Sequence, residues 1–278
     1  MEIIRPFDGS NITTVLFDFD GTLSLERDGW ANLMVATNSA ALAQAVPEIS
    51  PDESVEWVIH DIEQSIGIPT YMQMKLLAAE IARRGGTALS PQRYKKVYTS
   101  ALEAMVKSIH LKLANKQIDV ENLRVPGALE LLRELAHKFG EEALYLASGT
   151  DIAPIKHSVK LLGFERYFGD RVIASGSLAS PEQCAKKSVV QRLLNEQNIQ
   201  PGQLLCFGDG TPEIQYTHDA GGVCVGVLSP DHSYYENVGH FTVAQKRERL
   251  INAGAHVLVS DFRDAARLVE VVCSKRDL

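Results

Sequence analysis

Two carboxylates follow a short apolar run near the start of the chain. Val15, Leu16 and Phe17 are apolar and β-prone, and Asp18 and Asp20 come after them, two positions apart. Residues at this spacing in an extended chain point to the same side, and α/β sheets bind their ligands at the carboxyl ends of strands. Carboxylates on one side repel each other unless a cation, usually a hard divalent one, lies between them. The pattern predicts a metal site, and the plainer alternative is an acidic turn without chemistry.

The strand that must hold these carboxylates belongs to a predicted sheet. The run 15–17 lacks the apolar–polar alternation of a half-exposed strand, which indicates a fully buried one. In the second half of the chain, apolar runs alternate with helical patterns. The predicted strands are 143–147, 172–174, 204–207, 223–227 and 257–259, with helices that include 188–197 and 262–273. This alternation predicts an α/β fold with a Rossmann-like parallel sheet core built by crossover connections.

A helical insert interrupts this predicted core. Residues 26–121 show helical periodicity and no convincing strand, so we predict an inserted all-helical domain there and a core made of residues 1–25 and 122–278. Gly67, Ile68, Pro69 and Thr70 break the helical pattern. This turn either joins two helices or presents side chains to a substrate.

Further polar residues follow other apolar strands. Ser148 and Gly149 come after strand 143–147, either as a helix-capping turn or as a hydroxyl and an N–H that hold phosphoryl oxygens. Lys186 and Lys187 precede an apolar helical face, either as solvated surface charges or as a source of one cation for the site. Asp209 follows strand 204–207, where the alternative to a second metal carboxylate is an ordinary Gly-Asp-Gly turn.

These segments together resemble the haloacid dehalogenase superfamily. Asp18–Leu23 resembles its first motif, D-x-D-G-T-[LV] after an apolar strand, and Gly208–Glu213 resembles its fourth, G-D-x-x-x-[DE]. Ser148 resembles the second motif, and a lysine near the start of the helix before strand 204–207 resembles the third. The insert resembles, in position and helical character, the cap domain of the phosphoglycolate phosphatase and β-phosphoglucomutase subfamily. The resemblance implies a Mg²⁺-dependent phosphatase that works through an aspartyl-phosphate.

The resemblance also implies catalytic roles for individual residues. Asp18 is expected to be the nucleophile, and Asp20 the acid and base. We choose Lys187 over Lys186 as the catalytic lysine, because Leu193 six residues later matches a core position of such helices.

Metal and phosphate contacts follow from the same resemblance. Mg²⁺ is expected to bind Asp18, Asp209 and Asp20, the last through its backbone carbonyl, with Glu213 in an outer or water-mediated position. Ser148 and Gly149 are expected to bind the phosphate.

Composition limits the partners and the compartment. The formal net charge of −7 gives no electrostatic case for nucleic acid or anionic membranes. The four cysteines include no C-x-x-C pair, and no window approaches the roughly 18 apolar residues of a membrane span. We therefore expect a cytoplasmic protein. The resemblance implies a small phosphorylated molecule as its partner, and we expect a monomer or homodimer.

Two alternative functions remain open at this stage. A phosphomutase of the β-phosphoglucomutase type would use the same residues, and a regulatory module could use the acidic Mg²⁺ site without turnover. Asp20 argues against phosphonatases and dehalogenases, which resemble this fold but lack an acid/base group at that position. Release of phosphate from p-nitrophenyl phosphate would separate an enzyme from a binding module.

Overall fold

The computed structural model describes residues 1–66, 68–174, 185–196, 199–229 and 242–277. Two compact units are present: one comprises Met1–Glu26, Ile118–Pro230 and Val243–Leu278, and the other contains Arg27–Gln117. The predicted insert spans residues 26–121. Gly67 of the predicted turn, Cys184 and the end of the predicted helix 188–197 lie outside the described residues.

The first unit is built on a mostly parallel sheet, which confirms the predicted fold class. In the described part of the chain the strands are β1 (Glu2–Ile3), β2 (Phe7–Asp8), β3 (Thr14–Asp18), β4 (Leu144–Ser148), β5 (Val172–Ala174), β6 (Leu204–Gly208), β7 (Val223–Val227), β8 (Val257–Val259) and β9 (Lys275–Arg276). The main sheet has the order β1-β8-β7-β6-β3-β4-β5, and the strands β3 to β8 pair in parallel. The edge strand β1 is antiparallel to β8, and β2 pairs with β9. The sequence analysis missed these three two-residue strands because such short pairs carry no periodicity.

Strand β3 lies between β4 and β6, and all five of its residues are buried. Alternate side chains supply the cores on the two faces of the sheet. On one face Phe17 stacks on Phe207, with ring centroids 4.9 Å apart. On the other face Leu16 belongs to a cluster with Val189 and Leu193. Asp18, two positions after Leu16, therefore projects from the side that this second cluster covers.

Helices surround the sheet in the first unit. They are α5 (Ala128–Phe139), α6 (Ile152–Leu161), α7 (Glu165–Phe168), α8 (Ala185–Glu196), α9 (Thr211–Asp219), α10 (Val243–Ala253) and α11 (Ala265–Val272). The sequence analysis missed α10, because six of its eleven residues are Gln, Lys, Arg, Glu or Asn and its apolar periodicity is weak.

The second unit contains four helices in its described part, with a core of their own. They are α1 (Trp30–Ala45), α2 (Pro51–Ser65), α3 (Thr70–Arg83) and α4 (Pro91–Ala114). Met34, Leu42, Ile62, Met74 and Leu77 are almost fully buried in one apolar cluster. Among the described helices of both units, none combines the length and hydropathy needed to cross a membrane.

Candidate active site

Acidic side chains converge where β3 and β6 end. Asp18 is the last residue of β3 and is 4% exposed. The register pairs Asp18 with Ala147 of β4 and Phe17 with Phe207 of β6, so Ser148 and Asp209 follow at the same edge. Asp18, Asp209 and Glu213 bring carboxylate oxygens within 4.8 Å of one another.

A lysine lies within this acidic group, and it is Lys186. Its ammonium is 3.0 Å from Oδ1 of Asp18 and 2.7 Å from Oε2 of Glu213. Lys187 is exposed, and its ammonium lies 5.9 Å from the centre of the Tyr216 ring. The lysine expected at the acidic group is therefore corrected from Lys187 to Lys186, and its catalytic role stays a prediction.

Helical spacing explains this correction. Helix α8 packs on the sheet through Val189, Val190 and Leu193. Lys186 precedes these residues by three, four and seven positions, which places it on the same helical face. Lys187 lies about 100° further around the helix axis and faces outward. Lys187 lies six residues before Leu193, whereas positions on one helical face repeat at seven.

Glu213 is a buried anion that holds this lysine. It lies in the first turn of α9 and is 1% exposed. Its Oε1 accepts a hydrogen bond of 2.7 Å from the N–H of Gly210, and its Oε2 contacts Lys186. Both carboxylate oxygens therefore have partners within the protein.

A second lysine contacts the group from helix α10, and the sequence analysis missed it. The ammonium of Lys246 donates to Oδ2 of Asp209 at 2.9 Å and is also 3.1 Å from both oxygens of Ser229. Lys246 is buried on the same face of α10 as Leu250 and Ala253. The spacing of four and seven residues from Lys246 to these apolar residues could have indicated from the sequence that Lys246 is buried.

Asp20 lies apart from the three clustered carboxylates. It follows the end of β3 in a tight turn, in which Gly21 has a φ of 76° and its N–H donates to the carbonyl of Ser24. Oδ2 of Asp20 accepts a hydrogen bond of 3.2 Å from the hydroxyl of Thr150. The hydroxyl of Thr150 thus joins the loop after β4 to the candidate acid/base.

The predicted phosphate-binding residues lie in that same loop. Ser148 is 1% exposed, and its hydroxyl accepts a hydrogen bond of 3.1 Å from the N–H of Thr150. Gly149 lies between them, directly after β4, whose residue Ala147 pairs with Asp18. This arrangement brings Ser148 and Gly149 to the sheet edge that carries the carboxylates, and their contact with phosphate stays a prediction.

Negative charges outnumber positive charges around Asp18. Burial raises the pKa of Asp18 well above its usual value; Lys186 opposes the rise, whereas Glu213, Asp209 and Asp20 add to it. More carboxylates than ammonium groups are thus gathered around Asp18.

The neighbouring groups keep opposite charges. Burial alone would lower the pKa of Lys186, but the carboxylates of Asp18 and Glu213 outweigh burial and raise it well above the usual range. Burial alone would raise the pKa of Asp209, but the ion pair and hydrogen bond with Lys246 outweigh burial and keep it low. The cluster therefore keeps an ionised Asp209 beside a protonated Lys186.

The donor set fits a hard divalent cation. Asp18 and Asp209 offer carboxylate oxygens, and the described residues bring no thiolate or imidazole into the group. Oxygen-only donors suit Mg²⁺ and similar ions rather than zinc. The excess of carboxylates around Asp18 supplies the electrostatic reason for such an ion to bind.

A family model for haloacid dehalogenase-like hydrolases matches residues 12–221, most of the chain. The chain belongs to the haloacid dehalogenase-like hydrolases. The match covers all four motif segments and the helical unit between the first two. A search of curated proteins finds no match.

Several solved structures share the fold of this chain at low sequence identity. A phosphonoacetaldehyde hydrolase-like protein from Oleispira antarctica has 15% identity and a TM-score of 0.61, covering 98% of this chain and 96% of that one. A predicted phosphoglycolate phosphatase from Haemophilus somnus has 17% identity and a TM-score of 0.54, covering 93% and 98%. A haloacid dehalogenase-like protein of unknown function from Agrobacterium tumefaciens has 16% identity and a TM-score of 0.57, covering 94% and 98%.

Proposed function

We propose that this haloacid dehalogenase-like hydrolase is a Mg²⁺-dependent phosphatase of small phosphorylated metabolites, such as sugar phosphates. The observation that carries the proposal is the position of Lys186 between the buried carboxylates of Asp18 and Glu213, 3.0 and 2.7 Å from their oxygens. Burying charges in this way is costly and adds little stability compared with apolar packing. A cation held against a strand-end carboxylate is useful where a phosphoryl group must be bound and attacked.

The residues around Asp18 can carry out phosphoryl transfer in two steps. In the first, an oxygen of Asp18 forms a bond to phosphorus while the ester P–O bond breaks, and Asp20 donates its proton to the leaving oxygen. In the second, Asp20 takes a proton from water as the water oxygen bonds to phosphorus. The bond between phosphorus and Asp18 then breaks, releasing inorganic phosphate and regenerating the enzyme.

Other residues hold the reacting groups. Lys186 neutralises Asp18 before attack and binds phosphoryl oxygens during it. Ser148 and Gly149 bind further phosphoryl oxygens from the loop after β4. Asp18 and Asp209 would hold Mg²⁺, which when bound supplies positive charge that screens the approach of the anionic nucleophile to the phosphate.

An enzyme is favoured over a binding module by the hydrogen bond to Asp20. A module that only bound Mg²⁺ and phosphate would have no use for an acid/base group outside the metal cluster. Thr150 nevertheless holds Oδ2 of Asp20 at 3.2 Å, close to the candidate nucleophile. Such positioning is expected of a group that transfers protons.

The decisive experiment measures phosphate release from p-nitrophenyl phosphate with and without Mg²⁺. Wild type should turn over only with Mg²⁺, and Asp18→Asn, assayed below its own unfolding transition, should be inactive because the amide cannot attack phosphorus. Asp170→Asn, at a fully exposed aspartate, is the matched control and should keep wild-type activity. Substantial turnover by Asp18→Asn would refute the covalent route, and full activity after exhaustive chelation would refute the metal assignment.

A panel of phosphorylated metabolites then identifies the substrate. Phosphate release identifies a phosphatase, whereas isomerisation of a sugar phosphate without net phosphate release would identify a mutase.

A further inference from the structure

Lys246 has no counterpart among the four motifs, yet it is almost completely buried against one of their carboxylates. Its side chain is 11% exposed, and its ammonium lies 2.9 Å from Oδ2 of Asp209. The same ammonium donates to the carbonyl and to the hydroxyl of Ser229, at 3.1 Å each. The hydroxyl of Ser229 in turn donates to the carbonyl of Gly21. The lysine is thus fixed between Asp209 and Ser229, and Ser229 is in turn fixed to the turn after β3.

Backbone packing closes the same side of Asp209. A Cβ atom added to Gly21 would lie 2.1 Å from Oδ2 of Asp209 and 3.1 Å from Oδ1. Oδ2 is therefore enclosed by the Gly21 backbone and by the ammonium of Lys246. On the other carboxylate, Lys186 holds Oδ1 of Asp18 at 3.0 Å. One oxygen of each of these two carboxylates is already held by an ammonium group.

Divalent cations differ in how they use a carboxylate. Mg²⁺ requires a nearly ideal octahedron and takes oxygens singly, whereas Ca²⁺ accepts six to eight oxygens and often binds both oxygens of one carboxylate. A carboxylate oxygen that already accepts from a buried ammonium binds a metal ion less readily than the other oxygen, because the two positive charges repel each other across it. Such carboxylates disfavour Ca²⁺ more than Mg²⁺.

We propose that Lys246 is a positioning residue that keeps Asp209 a one-oxygen ligand and thereby makes the site prefer Mg²⁺ to Ca²⁺. This inference rests on the proposed metal site at Asp18 and Asp209. Lys246 acts through Asp209 and takes no part in the bond-making steps.

Calorimetric titration of the whole protein with MgCl₂ and, separately, with CaCl₂ tests the proposal without using activity. The measured quantity is the ratio of the Ca²⁺ Kd to the Mg²⁺ Kd. Removing a positive charge in Lys246→Met should strengthen the binding of both ions, so only the ratio isolates selectivity. We expect the ratio to fall about tenfold, at the low end of the roughly 10–100-fold changes in metal affinity that outer-sphere substitutions cause.

Two further variants make the test specific. Lys187→Met removes an exposed lysine on a neighbouring helix and should leave the ratio at its wild-type value. Ser229→Ala removes a hydroxyl partner of Lys246 but keeps the ammonium, so it should lower the ratio by less than Lys246→Met does. Ser229→Ala also keeps the proposal testable if Lys246→Met does not fold.

The inference and the proposed function fail in different ways. An unchanged ratio in both Lys246→Met and Ser229→Ala, or a wild type that binds neither ion, would overturn the inference. The proposed function fails separately, if wild type releases no phosphate with Mg²⁺ present. An enzyme with Mg²⁺-dependent turnover and an unmoved ratio would keep its function and lose this role for Lys246.

Discussion

The ammonium of Lys186 lies 3.0 Å from Oδ1 of Asp18, although a complete helical unit separates the two residues in sequence. The contact forms because Leu16 of β3 and the apolar face of α8 share one core cluster. Asp18 follows Leu16 by two residues, and Lys186 precedes Val189 by one helical turn. Packing of the apolar residues thus fixes the distance between the charged ones.

Substitution of Lys186 should lower kcat strongly, whereas substitution of the adjacent Lys187 should not. Lys186→Ala removes the cation that neutralises Asp18, and we expect kcat to fall about 10²–10³-fold, the range for one strong electrostatic contact to the transition state. Lys187→Ala should change kcat little, because its ammonium is exposed beside the Tyr216 ring. Steady-state kinetics on p-nitrophenyl phosphate measure both.

Thermal unfolding supplies the control for this comparison. Removing one member of a buried ion pair costs about 3–5 kcal/mol, so Lys186→Ala must be assayed below its own unfolding transition. A larger loss of kcat in folded Lys187→Ala than in folded Lys186→Ala would restore the assignment made from the sequence.

The hydroxyl of Thr150 should matter most for substrates that need a proton. Thr150→Val keeps the shape of the side chain but removes the donor that holds Oδ2 of Asp20. Protonation of the leaving oxygen matters for an alkyl phosphate and hardly for p-nitrophenyl phosphate, whose leaving group is already a weak base. We expect kcat for glycerol phosphate or the natural substrate to fall about tenfold, part of the 10²–10⁴-fold that acid–base catalysis supplies.

Two measurements give this prediction its specificity. Thr150→Ser restores a hydroxyl and should recover most of the loss. Equal losses on both substrates would indicate that Thr150 supports the fold of the loop rather than the orientation of Asp20.

Gly21 should tolerate no side chain, for a reason beyond its backbone conformation. Its φ is 76°, and an added Cβ would lie 2.1 Å from Oδ2 of Asp209. Gly85 has a similar φ of 83° with nothing within 4 Å of an added Cβ. Each alanine variant should lose about 1–2 kcal/mol of unfolding free energy through left-handed backbone strain. Only Gly21→Ala should also weaken Mg²⁺ binding, because it must displace the carboxylate of Asp209.

Chemical denaturation and Mg²⁺ titration of both variants separate these effects. If Mg²⁺ affinity falls equally in Gly21→Ala and Gly85→Ala, the close approach of Gly21 to Asp209 has no functional importance.

The apolar core could be predicted from the sequence more completely than the network of charged residues. Buried strands such as β3 and β7 are rich in apolar residues, and the alternation of such strands with helical patterns predicted a parallel sheet. Lysine is usually a surface residue, so only its spacing from apolar neighbours indicates which lysines of a chain are buried. Lys186 lies seven residues before Leu193, and Lys246 lies seven residues before Ala253. The first was assigned one position too far along, and the second lay in a helix whose apolar pattern is faint.

Tertiary contacts explain why the remainder of the site escaped prediction. The hydrogen bond between Thr150 and Asp20 joins residues far apart in sequence, and neither residue type is specific to such a pair. Helix α10 connects β7 and β8, which are neighbours in the sheet, and it packs against α9. Such contacts depend on the order of strands, which local patterns do not encode.

His256 should make the protein less stable in mild acid. Burial lowers its pKa from 6.5 to about 4, and His218 and Arg5 contribute to the decrease. Its Nδ1 accepts a hydrogen bond of 3.0 Å from the N–H of Cys224, which requires that nitrogen to be unprotonated. The folded protein therefore binds this proton less readily than the unfolded chain does.

The direction of the pH effect follows from linkage between proton binding and folding. The contribution of His256 is fully present above about pH 6.5 and is lost as the pH falls towards 4, because the unfolded chain takes up the proton first. His256→Asn keeps an acceptor for the Cys224 N–H but cannot titrate, so its unfolding free energy should fall less than that of wild type between pH 7 and pH 5.

The measured quantity is the slope of unfolding free energy against pH for wild type and for His256→Asn. The two slopes should differ by less than about 1.4 kcal/mol per pH unit, which is the limit for one titrating group, because His256 is partly exposed. Urea denaturation at several pH values measures both slopes, with His137→Gln at an exposed position as the control. Parallel curves for wild type and His256→Asn would show that His256 does not govern the acid sensitivity of the fold.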